Sequence, residues 1–364
     1  MKISEIISEL ERTAPLFLQE DFDNSGIQTG NLHTEATGVL VCLDVTEAVL
    51  YEAVDLGCNL IISHHPLIFR PLKKVTDGSY IERCVKIACK YDLTVYSCHT
   101  NLDNAAEGVN HLIAKKLGLQ NIRILSPKKN DLFKLSVFVP ADHAKAVRDA
   151  LFAAGAGCIG NYDSCSFNTE GQGTFRANED ANPFIGERGK LYTGQEIRIE
   201  TIIPKGRQRA AIRALLDTHP YEEPAFDLYP LANEWSSVGS GVVGELPVAE
   251  NETVFLRKIK SMFNSEALKH SPLTGKKIHR VALCGGSGAF LIRDAIAAGA
   301  EIFITGEAKY NDFYDVENRI LLAVAGHYET EVCTKQLFYD VILKKNATFA
   351  VHYSKVDSNP VNYM

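Results

Sequence analysis

Apolar positions fall into two rhythms along this chain. Ile3, Ile6, Ile7 and Leu10 recur at helical spacing and stop before Pro15, which predicts a short amphipathic helix. The unbroken run Leu60-Ile61-Ile62, entered through Gly57 and closed by Pro66, predicts a buried strand that ends in a loop. Between them, Thr46 is placed to cap a helix that runs to Leu56, with Gly57 at its C-terminal end. A helix over 82–91 leads into a strand ending at His99, and a helix over 105–117 stops at Gly118.

The first of these units occurs twice. Residues 38–65 read GVLVCLDVTEAVLYEAVDLGCNLIISHH and residues 279–307 read HRVALCGGSGAFLIRDAIAAGAEIFITGE. At one constant offset Cys42 meets Cys284, Gly57 meets Gly299, Ile62 meets Ile304 and Ser63 meets Thr305. Each copy is strand, turn, helix, glycine, strand. Further on, residues 93–99 match 321–327, so that His99 followed by Asp103 aligns with His327 followed by Glu331. A duplicated βαβ core facing itself brings His64, His65, His99, Asp103, His327 and Glu331 together. Histidines with carboxylates form a ligand set for divalent transition metals. Neighbours on an extended chain point to opposite faces, so His64 and His65 can serve two centres.

Near 126–130 the chain changes character. Strand (134–139), helix (141–154), strand (162–167), strand (195–203), helix (207–218) and strand (225–229) follow in the β-α-β-β-α-β order of ferredoxin-like domains. This segment separates the matching halves. The expected architecture is α/β (α+β): a discontinuous three-layer domain over 1–127 and 237–364, with an inserted ferredoxin-like domain over 128–236.

Several polar stretches have two readings each. The turn 21–26 (DFDNSG) is either a tight turn or a loop approaching the metal centre or its substrate. Arg70, Lys73 and Lys74 form a solvated loop or receive an anionic substrate. The glycine-rich turn Cys284-Gly285-Gly286-Ser287-Gly288 either packs a helix tightly on its strand or offers N–H groups to an anion; it lacks the Lys-Ser/Thr ending of a P-loop. His219-Pro220-Tyr221-Glu222-Glu223-Pro224 is a rigid, structural loop or a ligand cluster. Thr305-Gly306-Glu307 stands where the first half has Ser63-His64-His65, so the halves are not chemically equivalent.

Composition narrows the class. With 364 residues, 46% of them hydrophobic, the chain can bury a large core. A formal charge of −7 without a basic stripe gives no indication of nucleic acid. Nine cysteines at scattered spacings fit buried thiols in a reducing, cytoplasmic setting. The start lacks a signal-peptide core, and no window reaches the ~18 apolar residues of a membrane span.

SHHP at 63–66, HTNLD at 99–103, the CGGSG turn, ITGE at 304–307 and GHYETE at 326–331 together resemble the dinuclear-metal family of GTP cyclohydrolase 1 type 2 homologs. These are also called NGG-one-interacting-factor-three-like proteins. The insertion resembles the PII/CutA-like domain of the longer bacterial members. The resemblance implies that His64, His65, Asp103, His327 and Glu331 hold two divalent ions (zinc, iron, manganese, cobalt or nickel), with Asp103 as the bridge. It implies a toroidal homohexamer and hydrolysis of GTP to formate and 7,8-dihydroneopterin triphosphate. In that scheme a group such as His99 or Glu329 shuttles protons. The alternative is a non-catalytic metal-binding adaptor or regulatory protein whose insertion senses a ligand. Relatives often carry a histidine near Asn311, so any chemistry that such a histidine assists is not available here.

Overall fold

A computed structural model describes residues 1–364 and divides them into two compact units, Met1–Pro127 with Ser237–Met364, and Lys128–Ser236. In the first unit, strands Val39–Cys42, Leu60–Ser63 and Thr94–Ser97 run parallel, connected by helices Glu47–Asp55 and Tyr80–Lys90. Every residue of the three strands is buried. Parallel strands covered on both faces require such continuous apolar runs. Leu40, Ile61 and Val95 pack against Val49, Leu50, Ala53, Cys84 and Ala88 of the two helices. Each large aliphatic side chain buried in this way contributes roughly 1.5–3 kcal/mol. The first helix begins as its sequence predicts, with Thr46 Oγ1 accepting from the Val49 N–H at 3.3 Å.

Two strands without a sequence signal complete this sheet. Gly26–Thr29 pairs antiparallel with Thr94–Ser97 at one edge. At the other edge Val351–Tyr353, from the end of the chain, pairs parallel with Val39–Cys42. The second half repeats the plan with Lys277–Cys284, Ile302–Thr305 and Leu321–Val324, again parallel. Its sheet continues through Trp235–Asn251 to Gln120–Lys128 on one side and ends at Lys269–His270 on the other. Ala282, Phe303 and Leu322 pack against Ile292 and Ala295 of the helix Ile292–Ala297. Val281, Ile302, Ile304 and Leu321 pack against Ile113, Phe255 and Ile259, from helices Val109–Lys116 and Glu252–Met262. Helices therefore cover both faces, giving three layers.

The strand registers correct one alignment. Ser63 pairs with Ser97, but Thr305 pairs with Val324. Ser97 is thus equivalent to Val324, and His99 falls opposite Gly326 rather than His327. The two His-x-x-x-carboxylate segments are out of step by one residue. Helix His327–Glu331 starts at the register equivalent of Thr100, so His327 is the first residue of its helix, whereas His99 precedes Thr100–Asp103.

In the second unit, strands Leu132–Pro140, Ser166–Arg176, Leu191–Pro204 and Phe226–Pro230 form an antiparallel sheet in the spatial order second, third, first, fourth. Helices Ala144–Ala153 and Gln208–Thr218 pack Val147, Leu151, Ala211 and Leu215 against Leu135, Val137 and Ile199. The second strand starts at Ser166 and extends to Arg176, beyond the 162–167 expected. Most of its residues are exposed, so the apolar alternation that marks a half-buried strand is missing.

Candidate metal centre

The carboxyl ends of the parallel strands in both halves deliver the histidines. His64 and His65 follow Leu60–Ser63, His99 follows Thr94–Ser97, and His327 follows Leu321–Val324. Each ring has its Nδ1 occupied. His64 Nδ1 donates to the Cys98 carbonyl at 2.8 Å. His65 Nδ1 lies 2.7 Å from Asp44 Oδ1, and His99 Nδ1 lies 2.7 Å from Asp23 Oδ1. His327 Nδ1 lies 3.0 Å from Glu307 Oε1. The network assigns the Nδ1 proton in all four, so that Nε2 is the nitrogen left for a ligand bond; those of His65 and His327 are directed at Glu331.

Hydroxyl groups hold the three carboxylates in turn. Ser358 Oγ donates to Asp44 Oδ2 at 2.8 Å, and Ser287 Oγ to Glu307 Oε2 at 2.6 Å. Asp23 Oδ2 accepts from Thr100 Oγ1 at 2.5 Å and from Ser25 Oγ at 2.8 Å. The DFDNSG turn thus reaches the site, through Asp23.

These nitrogens and two carboxylates form overlapping groups: His64, His65 and His99; His65, His327 and Glu331; His64, Asp103 and Glu331. Within each group the ligand atoms lie within 4.8 Å of one another. Glu331 Oε2 is 2.9 Å from His65 Nε2 and 3.0 Å from His327 Nε2. Its Oε1 is 3.7 Å from His64 Nε2. Asp103 Oδ1 lies 3.7 Å from His64 Nε2. Glu331, and not Asp103 as the resemblance implies, is the carboxylate common to two groups. Its extra methylene carries it between them, whereas Asp103 faces His64.

The donor set fits a cation. His64 Nε2 and Asp103 Oδ1 are buried and have no hydrogen-bond partner. Leaving each unsatisfied costs about 1–3 kcal/mol. A divalent ion between them satisfies both.

The electrostatics point the same way. Burial pushes the His65 imidazole down, but Asp44 and Glu331 outweigh it and hold its pKa at about 10. Burial likewise opposes charge on His327, and Glu331 raises it nonetheless. Glu331, despite burial, is held well below the carboxylate range by His64 and His327. Asp103 moves up, because burial and the Glu331 charge exceed the pull of the histidines. Without a cation the cluster keeps protons in its place.

The glycine-rich turn serves packing. Gly286 has φ +58°, and a Cβ there would stand 2.0 Å from Glu331 Oε1. Its N–H donates to Thr330 Oγ1, and those of Gly285 and Gly288 go to Asn110 and Thr305, so all three glycine N–H groups are engaged within the chain. Gly326, at φ +109°, leaves room for Glu329, whose Oε2 would lie 2.0 Å from an added Cβ.

A cavity of about 360 Å³ opens on His65 and His327. Glu329 and Tyr328 form one wall, and Pro360, Val361 and Tyr363 from the C-terminal segment form another. The Tyr363 hydroxyl donates to Glu329 Oε1 at 3.4 Å. Lys269 is the cation that lines this cavity; Arg70, Lys73 and Lys74 do not reach it. Sequence reasoning missed Asp44 and Ser358. The visible signal for Asp44 was a carboxylate two residues beyond the first strand, in the Cys42-Leu43-Asp44 turn.

Duplicated parallel strands whose ends converge on histidines and carboxylates define an α/β protein with side-chain groups that could hold a metal ion. The chain belongs to the Duf34/NIF3 (NGG1p interacting factor 3) family, whose model matches residues 1–360. It is 42% identical over 311 residues to the GTP cyclohydrolase 1 type 2 homolog of Halalkalibacterium halodurans, covering 85% of this chain and 84% of that protein. The Bacillus subtilis protein of the same name is 36% identical over 366 residues, 99% of this chain and 98% of its own length. The crystal structure of a Bacillus cereus protein related to NIF3 matches with a TM-score of 0.82 at 36% identity, over 100% of this chain and 99% of that one. Staphylococcus aureus protein SA1388 matches with a TM-score of 0.78 at 30% identity, with coverage of 100% and 99%.

Proposed function

We propose that the protein binds two divalent metal ions and acts as a hydrolase of the GTP cyclohydrolase type, converting GTP and water to formate and 7,8-dihydroneopterin triphosphate. The observation that carries the metal reading is Glu331, whose two oxygens address different histidines beside the unpartnered His64 Nε2 and Asp103 Oδ1. His65, His327 and Glu331 would hold one ion, and His64, Asp103 and Glu331 the other. Such a pair supplies Lewis-acid activation of water and of a substrate oxygen. The names of the relatives support the choice of reaction.

The chain's own residues have distinct tasks in this scheme. Asp23, Asp44 and Glu307 fix the ring orientation of His99, His65 and His327. His99, braced by Asp23 and 5.3 Å from His64 between ring centres, moves a proton at Nε2. Glu329, in the cavity wall beside His327, is the second proton carrier. Self-assembly into a hexamer and a cytoplasmic location belong to the same proposal. No helix is long and apolar enough to cross a membrane.

The test is formate release from GTP by metal-reconstituted protein. The reading predicts turnover in the wild type and loss in His65→Ala and Glu331→Ala. A second reading, a non-catalytic metal-binding adaptor with a ligand-sensing insertion, draws on the separate cavity in 128–236. Metal retention with no formate from GTP would favour it.

A further inference from the structure

The stretch His219-Pro220-Tyr221-Glu222-Glu223-Pro224 lies in the second unit, and its parts have separate jobs. His219 is buried, and both ring nitrogens are engaged within the chain. Nε2 donates to the Phe138 carbonyl at 3.0 Å, and Nδ1 accepts the Tyr221 N–H at 3.0 Å. Metal ligation by His219 is therefore excluded; the ring braces the loop. The Tyr221 hydroxyl is also engaged, donating to Glu196 Oε1 at 2.9 Å. What remains toward the cavity is the part of the Tyr221 ring that lines it and the carboxylates that follow.

These border a cavity of about 360 Å³ together with Phe175, Phe184 and Asp180. This is the lower end of the ~300–1,000 Å³ typical of small-ligand sites. Phe175 and Phe184 flank Tyr221, with ring centres 5.8 and 6.3 Å from its own. Phe184 is 55% exposed, a large ring on the open wall with only part of its surface covered. The Asn182 N–H donates to Glu222 Oε2 at 2.9 Å and ties that wall to the braced loop. Asp180, Glu222 and Glu223 bring three carboxylates to the cavity against one cation, Arg176. Aromatic faces present negative potential to a cation, and the effect is largest where water is partly excluded. Three carboxylates repel an anion, and a neutral occupant gains from them only through hydrogen bonds it donates, without the charge attraction a cation adds.

We propose that this cavity binds a small organic cation, a quaternary ammonium or a guanidinium, seated on Phe175, Phe184 and Tyr221 and paired with Glu223 and Asp180. The site is independent of the metal centre and of the reaction assigned to it. It gives the insertion a ligand of its own.

The test is calorimetric titration of the full-length protein with choline, with methylguanidine, with acetate and with 3,3-dimethylbutan-1-ol, the neutral isostere of choline. At least one cation binds, and choline or methylguanidine exceeds the alcohol by about tenfold or more. Phe184→Ala and Glu223→Gln each weaken the cation about three- to tenfold, while Tyr221→Phe, which keeps the ring, leaves it within about twofold. Both affected side chains are exposed, and circular dichroism is expected to be unchanged in these variants. Equal binding of the alcohol, preference for acetate over both cations, or no heat with either cation at 50 mM would overturn the proposal. Protection of Phe184 only at high protein concentration, without cation binding, would also overturn it and identify a second copy of the chain as the occupant.

Discussion

Glu331 Oε2 lies 2.9 Å from His65 Nε2, although the two residues are 266 apart in the chain. The other oxygen of the same carboxylate turns toward His64. One side chain therefore joins the two halves of the cluster, and the effects of substitution follow from that. Glu331→Ala removes a ligand from both groups, whereas Asp103→Ala removes one from the His64 group alone. The expected outcome is loss of most metal in Glu331→Ala and retention of about one ion per chain in Asp103→Ala, with both variants folded. Metal analysis beside circular dichroism checks it, and the reverse pattern would return the bridge to Asp103.

Asp44 orients His65 without facing the ligand groups itself. Asp44→Ala is expected to weaken the ion held by His65 about 10–100-fold while the His64 group keeps its own. Ser358→Ala, one bond further out, shifts the same ion in the same direction by less. Competition with a chromophoric chelator measures both. Equal weakening of the two ions would show that Asp44 supports the fold rather than one ligand.

Metal uptake must expel protons. The folded pKa of His65 is raised to about 10 from an ordinary value near 6.5, so at pH 8 the metal-free site holds its proton. The stability this charge confers on the metal-free protein is fully present below about pH 6.5 and is lost as pH rises through about 10. Binding should therefore release at least about one proton per chain at pH 8 and tighten as pH rises. Titration in buffers of different ionisation enthalpy reads the number directly; zero protons released would contradict a His65 ligand.

Replacing 128–236 with a short linker is expected to leave the remainder folded and able to hold metal, because each unit has its own core. Loss of metal from a soluble, folded truncation would argue against that independence.

Much of the site was legible because its ligands follow short, fully buried strands. His64, His65, His99, Asp103, His327 and Glu331 all follow such strands within a few residues. The equivalence of His99 and His327 was misread by one residue, because an ungapped match of apolar runs cannot see where each strand enters the ladder. Val351–Tyr353 was invisible for a different reason. It is three residues long and only partly buried, and its partner lies at the opposite end of the chain. Ser358 follows from it: only once that strand is docked does the segment behind it pass Asp44. The readings of the 284–288 turn were separated by hydrogen bonds between side chains and backbone, which composition does not record.

On the proposed reading these residues form one two-metal site. The most direct measurement is the metal content of the full-length protein, purified without chelator, reconstituted with a divalent transition metal and freed of excess ion. About two ions per chain are predicted, falling to near zero in Glu331→Ala. A wild-type value near zero after reconstitution would rule out a two-metal site.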